Sequence, residues 1–99
     1  MKLPRDLFLG FVKLHILHHA GREAIYGLWL IEELGKHGYR LSPGTLYPIL
    51  HGLEEEKLLR SERRVVEGKS RKYYSLTKTG HKALVEGKKK AEELLEELA

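Results

Sequence analysis

The chain has 99 residues and a formal net charge of +4, which is enough for one domain with a modest core. It contains no cysteine, so disulfides, thiolate catalysis and cysteine metal sites are excluded. No apolar run is long enough to cross a bilayer and no signal peptide is evident, so we expect a soluble, cytoplasmic protein without a membrane partner. Asn and Gln are absent while Lys, Arg and Glu are plentiful, and this composition predicts a thermostable protein that melts above the mesophile range.

The first predicted helix covers about residues 6–20, with Gly21 as its C-cap. Its apolar residues cover more than one stripe. A helix this apolar in so small a domain is expected to contact both its own core and a partner subunit, through Leu7, Phe8 and Phe11. A single wide core contact is the alternative.

Three histidines lie in this helix: His15, His18 and His19. His15 and His19 are four residues apart, so both could meet one metal ion. A site would need a third or fourth ligand, and no nearby carboxylate presents itself. We therefore favour histidines that extend to solvent at a helix end, and predict neither a metal site nor a cofactor.

The second predicted helix runs from residue 23 or 24 to residue 37, where Gly35 and Gly38 interrupt it. Its apolar face contains Ile25, Leu28, Trp29, Ile31 and Leu34. Trp29 is a candidate ligand contact, although a lone tryptophan in an apolar stripe is more often a core residue.

A third helix is predicted from Ser42 onward, with Ser42 as the N-cap and Pro43 at the first helical position. Leu46, Ile49, Leu50 and Leu53 recur at helical spacing and should face the core. The outer edge holds Gly44, Tyr47, Pro48 and His51, lacks acidic groups and can approach phosphates and base edges closely. The DNA contacts predicted for this helix are these four residues together with Ser42 and Thr45. Two helices joined by a tight connection form a helix-turn-helix.

A β-hairpin should follow, with strands at residues 58–66 and 71–77 and a turn at residues 67–70. Tyr74 and Leu76 are expected on one face of the return strand. Cations cluster at the hairpin tip, which contains Lys69, Ser70, Arg71 and Lys72. Residues 60–90 carry eleven Lys or Arg and three Glu, whereas residues 91–99 carry four Glu and no base. A basic hairpin behind a helix-turn-helix makes a winged helix that favours a nucleic-acid partner.

The last predicted helix starts at residue 78 or 79 and reaches residue 99. A coiled-coil seam repeats along it at spacings of three and four, formed by Leu84, Gly87, Ala91, Leu94 and Leu98. A two-fold partner should cover this seam, and folding back on its own domain is the alternative. The predicted fold is therefore mainly α with a small hairpin: a winged helix-turn-helix at residues 1–77, continuous with a dimerisation helix at residues 78–99.

Several segments are together similar to the PadR family of transcriptional regulators: Tyr26-Gly27, SPGTLYPIL at residues 42–50, EGKSRKYYSLT at residues 67–77, and Gly80. The resemblance covers about residues 12–85. It implies a homodimer that binds a roughly palindromic DNA operator, usually as a repressor, often relieved by a small phenolic or drug-like molecule.

Two departures from the family pattern concern an effector. Gly27 is followed by Leu28, where the family commonly has a tyrosine. The last helix is short, acidic and without aromatic residues, so a large ligand pocket is not evident there.

An enzyme is not expected, since there is no phosphate-binding loop, no activated nucleophile and only one aspartate, Asp6. Glu54, Glu55 and Glu56 are consecutive and point in different directions, so a solvated helix end is the simplest interpretation. Two alternatives stay open: a winged-helix protein-interaction module, and a sensor that binds a small molecule or metal near Trp29 or the histidines.

Overall fold

Four helices and a three-stranded antiparallel sheet make up the computed structural model, which describes residues 3–99. The elements follow in the order α1 (Arg5–Arg22), β1 (Ile25–Tyr26), α2 (Gly27–Lys36), α3 (Pro43–Glu55), β2 (Leu59–Val66), β3 (Lys69–Leu76) and α4 (Lys78–Leu98). This confirms the predicted class, a mainly helical winged helix-turn-helix. The sheet order is β1-β3-β2, so the hairpin carries an additional short strand.

The core lies where α1, α2 and α3 meet the inner face of the sheet. Its largest fully buried side chains come from every layer: Val12, Ile16, Leu30, Leu34, Leu46, Leu50, Leu59 and Tyr74. Tyr74 is buried and Leu76 packs against the core, which confirms the predicted inner face of β3.

Two predictions around the first helix are wrong. Helix α1 continues through Gly21 to Arg22, and Glu23 is its C-cap. A Cβ at Gly21 would lie 2.9 Å from Leu76 Cδ2, the end of a flexible side chain. Ile25 does not belong to the second helix but to β1, where it pairs with Tyr74. A two-residue strand is set by its pairing partner and leaves no periodic pattern in the sequence.

Helix α2 ends at Lys36 with His37 as its C-cap, and Gly38 follows with a positive φ of 85°. The Tyr39 N–H donates to the Leu34 carbonyl at 2.9 Å and closes the helix end. Gly35 lies within the last turn of α2, so the prediction that it breaks the helix is wrong.

The hairpin turn contains only Glu67 and Gly68, both with positive φ, 51° and 77°. This is the geometry of a tight two-residue turn, whose twist matches that of the strands. The predicted four-residue turn is therefore too long, and Lys69 and Ser70 belong to β3. The register pairs Leu59 with Leu76 and ends at Val66 with Lys69.

Thr77 joins the wing, the end of α3 and the start of α4. It caps α4 by accepting the Gly80 N–H at 2.9 Å, and its own hydroxyl donates to the Lys57 carbonyl at 2.5 Å. The Thr77 N–H also donates to the Leu58 carbonyl at 3.1 Å. Gly80 is buried at this junction.

Helix α4 packs with its first half against α1, whereas residues 92–99 are all exposed. No helix within residues 3–99 combines the length and apolar character needed for a membrane span.

Candidate nucleic-acid interface

Helix α3 begins as the sequence predicts. The Ser42 hydroxyl oxygen accepts the Thr45 N–H at 3.3 Å, and Pro43 follows as the first helical residue. Leu46, Leu50 and Leu53 are buried on the inner side. The residues predicted for DNA contact lie on the outer edge, all exposed except the half-buried Thr45: Ser42, Gly44, Thr45, Tyr47, Pro48 and His51.

Tyr47 lies across the start of α2. A Cβ added at Gly27 would come within 2.7 Å of Tyr47 Cζ, so Gly27 provides the space for the tyrosine ring. The side chain is held on one side and remains 38% exposed on the other. Such a ring is pre-oriented, because the contact with α2 limits its rotamers.

Pro48 lies inside α3 and does not end it. Proline lacks the N–H that would bond to the carbonyl four residues earlier, at Gly44. That carbonyl on the outer edge is therefore left without its helical donor.

The predicted wing residues divide into two pairs. Lys69 and Ser70 are exposed at the tip. Arg71 places its guanidinium 4.5 Å from the centroid of the Tyr26 ring, and Lys72 Nζ lies 3.7 Å from Glu54 Oε1. The second pair is thus fixed relative to α2 and α3.

A cleft of about 460 Å³ separates the outer edge of α3 from the wing. Tyr47 and His51 line it from the helix, and Arg63, Arg71 and Lys72 line it from the sheet. The structure therefore brings Tyr47 and His51 together with wing cations in one concave surface whose sheet side is cationic. Gly44, Thr45 and Pro48 line a separate pocket beside α1.

Arg63 lines the cleft but was not among the wing residues predicted from the sequence. It pairs with Lys72 across the hairpin, so alternation places both side chains on the α3 side of the sheet. The signal was present in the sequence: reading Glu67-Gly68 as a two-residue turn fixes this register.

Glu54 was also misinterpreted as part of a solvated helix end. Its carboxylate accepts the Ser61 hydroxyl at 2.6 Å and contacts Lys72, which ties the end of α3 to both strands of the wing. Glu55 and Glu56 are exposed, as expected.

The residues predicted for a dimer interface occupy different environments. Leu7, Phe11, Leu94 and Leu98 are exposed. Phe8 and Leu84 pack against the core of their own chain, and Gly87 faces Leu14. Ala91 lines an apolar groove of about 490 Å³ between α1 and α4. Val85 and Leu95, which were not predicted as interface residues, are exposed on α4 as well.

Trp29 packs against the core and is half-buried. Its ring meets the His19 ring edge-on, with centroids 5.4 Å apart. The surroundings of Trp29 are thus those of a packing residue with a histidine neighbour.

Comparisons with known proteins agree with this architecture. Residues 16–86 match the profile of the transcriptional regulator PadR-like family. The chain is 54% identical over 94 residues to the transcriptional regulator Rv3488 of Mycobacterium tuberculosis, covering 95% of this chain and 88% of that protein. A PadR-like transcriptional regulator of Bacillus cereus, BC4206, has a similar structure, with a TM-score of 0.86, 30% identity and coverage of 94% and 92%. A PadR family regulator of Eggerthella lenta has a TM-score of 0.82, 33% identity and coverage of 94% and 82%.

Proposed function

Because the chain belongs to the PadR-like family of transcriptional regulators, we propose that it is a homodimeric repressor that binds a double-stranded DNA operator in the cytoplasm. The observation that carries the proposal is the shared cleft, where Tyr47 and His51 of α3 face the cationic wing. A nucleic acid can contact the hydrogen-bonding groups of α3 and the cations of the wing at the same time.

In this proposal α3 enters the major groove. Ser42, Thr45, Tyr47 and His51 supply hydroxyls and an imidazole, which can both donate and accept hydrogen bonds with base edges or phosphates. The absence of a carboxylate on this edge avoids repulsion from the phosphates. These neutral groups discriminate between bases, on the order of 1–3 kcal/mol for each good contact.

The wing supplies affinity through its cations. Lys69 at the exposed tip and the half-buried Arg71, which lies over the Tyr26 ring at the cleft, contact the phosphate backbone or the minor groove. Binding of these cations releases counterions from the duplex, so the affinity depends on salt but hardly on sequence.

Dimerisation completes the binding surface, since one α3 helix and one wing make few contacts. The apolar groove between α1 and α4 and the exposed leucines at the end of α4 support a second copy of the chain as the partner. A two-fold dimer presents its α3 helices to successive major grooves about 34 Å apart.

Replacing Lys69 and Arg71 by alanine is expected to weaken binding to all duplexes alike and to lower the salt slope of log K by about two units, one for each lost phosphate contact. Fluorescence anisotropy over a salt series measures this slope. The control is the double variant Lys89→Ala with Lys90→Ala. It replaces two exposed cations of α4 and so lowers the net charge by the same amount. Equal losses in both variants would contradict the wing assignment, because net charge alone would then explain them.

Replacing Tyr47 by alanine is expected to change operator preference rather than general affinity, by roughly 10- to 100-fold at one or two base positions. Selection of bound duplexes from a random pool, followed by sequencing, gives the preference of each variant. The Lys69→Ala variant is the control and should select the same sequences as the unmodified protein. An unchanged preference in the tyrosine variant would remove Tyr47 from base recognition.

A winged-helix protein-interaction module is the second candidate, since the same apolar groove could take another protein. Retention on a column of random duplex DNA separates the two, as a module without DNA affinity elutes even in dilute buffer. Retention lost between about 0.05 and 0.2 M salt is the result expected for the DNA-binding protein.

A further inference from the structure

Three histidines from two helices converge on the side of α1 that faces the end of α2. His15 and His19 lie one turn apart on α1, and His37 is the C-cap of α2. One ring nitrogen from each can be chosen so that all three lie within 4.8 Å of one another. The sequence suggested only the first two, because His37 is brought to them by the packing of α2 on α1.

These distances suit a small metal ion. In a tetrahedral site with Zn–N bonds of 2.0–2.1 Å, two nitrogens are about 3.3 Å apart. The three nitrogens lie up to 4.8 Å apart, and side-chain rotations can shorten this distance to about 3.3 Å. Such rotations are possible because His37 is exposed and His15 and His19 are only half-buried. Imidazole is a preferred ligand of Zn²⁺, Ni²⁺ and Cu²⁺.

The protonation state also suits a metal. Burial, followed by the nearby histidines, lowers the pKa of His15 and His19 below the ordinary value. Neutral imidazoles carry the free lone pair that a metal needs. His19 Nε2 is buried and has no hydrogen-bond partner among residues 3–99, and an uncompensated polar atom of this kind is costly.

Glu33 supplies an outer contact. Its Oε2 lies 3.2 Å from His37 Nε2, one helical turn earlier on α2. A carboxylate hydrogen-bonded to a ligand histidine fixes the ring orientation and increases its basicity. Its other oxygen, Oε1, lies 3.6 Å from Lys36 Nζ, so its negative charge is shared between this ion pair and the histidine cluster.

A purely aromatic cluster is the competing explanation. The His15 ring meets Tyr39 at 5.1 Å between centroids, and His19 meets Trp29. Ring packing accounts for these contacts, but it does not require three nitrogens to converge or leave one of them buried without a partner.

We propose that His15, His19 and His37 form a binding site for one divalent transition-metal ion, with Zn²⁺ as the reference ion and Glu33 as its outer support. The ion would join the second half of α1 to the end of α2. Its ligand His37 lies five residues before Ser42, the N-cap of α3. The site is separate from the cleft, so the proposal stands independently of DNA binding.

Calorimetric titration of the full chain with Zn²⁺, without a histidine tag and after removal of metal by a chelator, tests the proposal. One ion per chain is expected to bind in the micromolar range or tighter. His37→Ala is the principal variant, because an exposed position tolerates truncation, and its Zn²⁺ affinity should fall at least 100-fold. His18→Ala is the control, an exposed neighbour on α1 outside the convergent set, and should keep the affinity of the unmodified chain.

Trp29 provides a second readout, as it is the only tryptophan and contacts His19. Co²⁺ bound at the site should quench its fluorescence, and the quenching should be lost in His37→Ala and retained in His18→Ala. Circular dichroism verifies that each variant is folded. Weak binding with no defined stoichiometry, or equal affinity in His37→Ala and the unmodified chain, would overturn the proposal and leave the aromatic cluster.

Discussion

Replacing Leu94 and Leu98 by glutamate is expected to give a folded monomer that loses specific operator binding. These side chains are 53% and 72% exposed in the single chain, on the part of α4 that extends beyond the core. The fold of one chain therefore does not depend on them, whereas a dimer would bury them. Glutamates facing each other across a two-fold axis would repel in an apolar interface.

The expected loss of affinity for a palindromic operator is about 10²- to 10⁴-fold. Each monomer must then bind its half-site alone, without the high effective concentration that a bound partner subunit provides. Light scattering gives the oligomeric state, and anisotropy gives the affinity. Lys89→Glu is the control: it lies on another side of α4 and lowers the net charge by the same two units, from +4 to +2. A persistent dimer in the double variant would show that the end of α4 is not the interface.

Replacing Gly80 by alanine is expected to produce the largest loss of stability from a single methyl group. A Cβ at this position would lie 2.6 Å from Leu76 Cδ1 and 3.0 Å from the Leu58 carbonyl carbon. The Leu58 carbonyl accepts the Thr77 N–H, so it is not able to withdraw without breaking that bond. Overpacking of this kind costs about 1–3 kcal/mol or more.

Thermal unfolding followed by circular dichroism should show a melting temperature lower by roughly 5–20 °C. Gly35→Ala is the matched control, because Gly35 is also helical and a Cβ there meets nothing within 4 Å. That variant should be unchanged or up to about 1 kcal/mol more stable, as alanine favours helix. Equal melting temperatures for Gly80→Ala and the unmodified protein would mean that α4 can move away from Leu58 at little cost.

The sequence predicted those parts of the fold that local chemistry decides. Ser42 followed by Pro43 predicted the start of α3, and the alternation at Tyr74 and Leu76 predicted the inner face of the hairpin. These signals lie within a few residues of one another, so no tertiary information is needed to interpret them.

The failures involve residues whose environment comes from distant segments. Ile25 is in a strand because Tyr74 lies opposite, and Gly21 continues α1 beside Leu76 of β3 instead of ending it. His37 likewise meets His15 only after α2 has docked on α1. Of the candidate site, the outer edge of α3 and the wing tip were predicted from residue types, while Arg63 and Glu54 required the strand register.

The hydroxyl of Thr77 has a mechanical consequence. It holds the exit of α3 through the Lys57 carbonyl, while its own residue ends the hairpin and starts α4. In the proposed dimer, a change in the angle at which two α4 helices cross is therefore expected to turn the hairpin and α3 together, because Thr77 caps α4, directly follows the hairpin and bonds to the exit of α3.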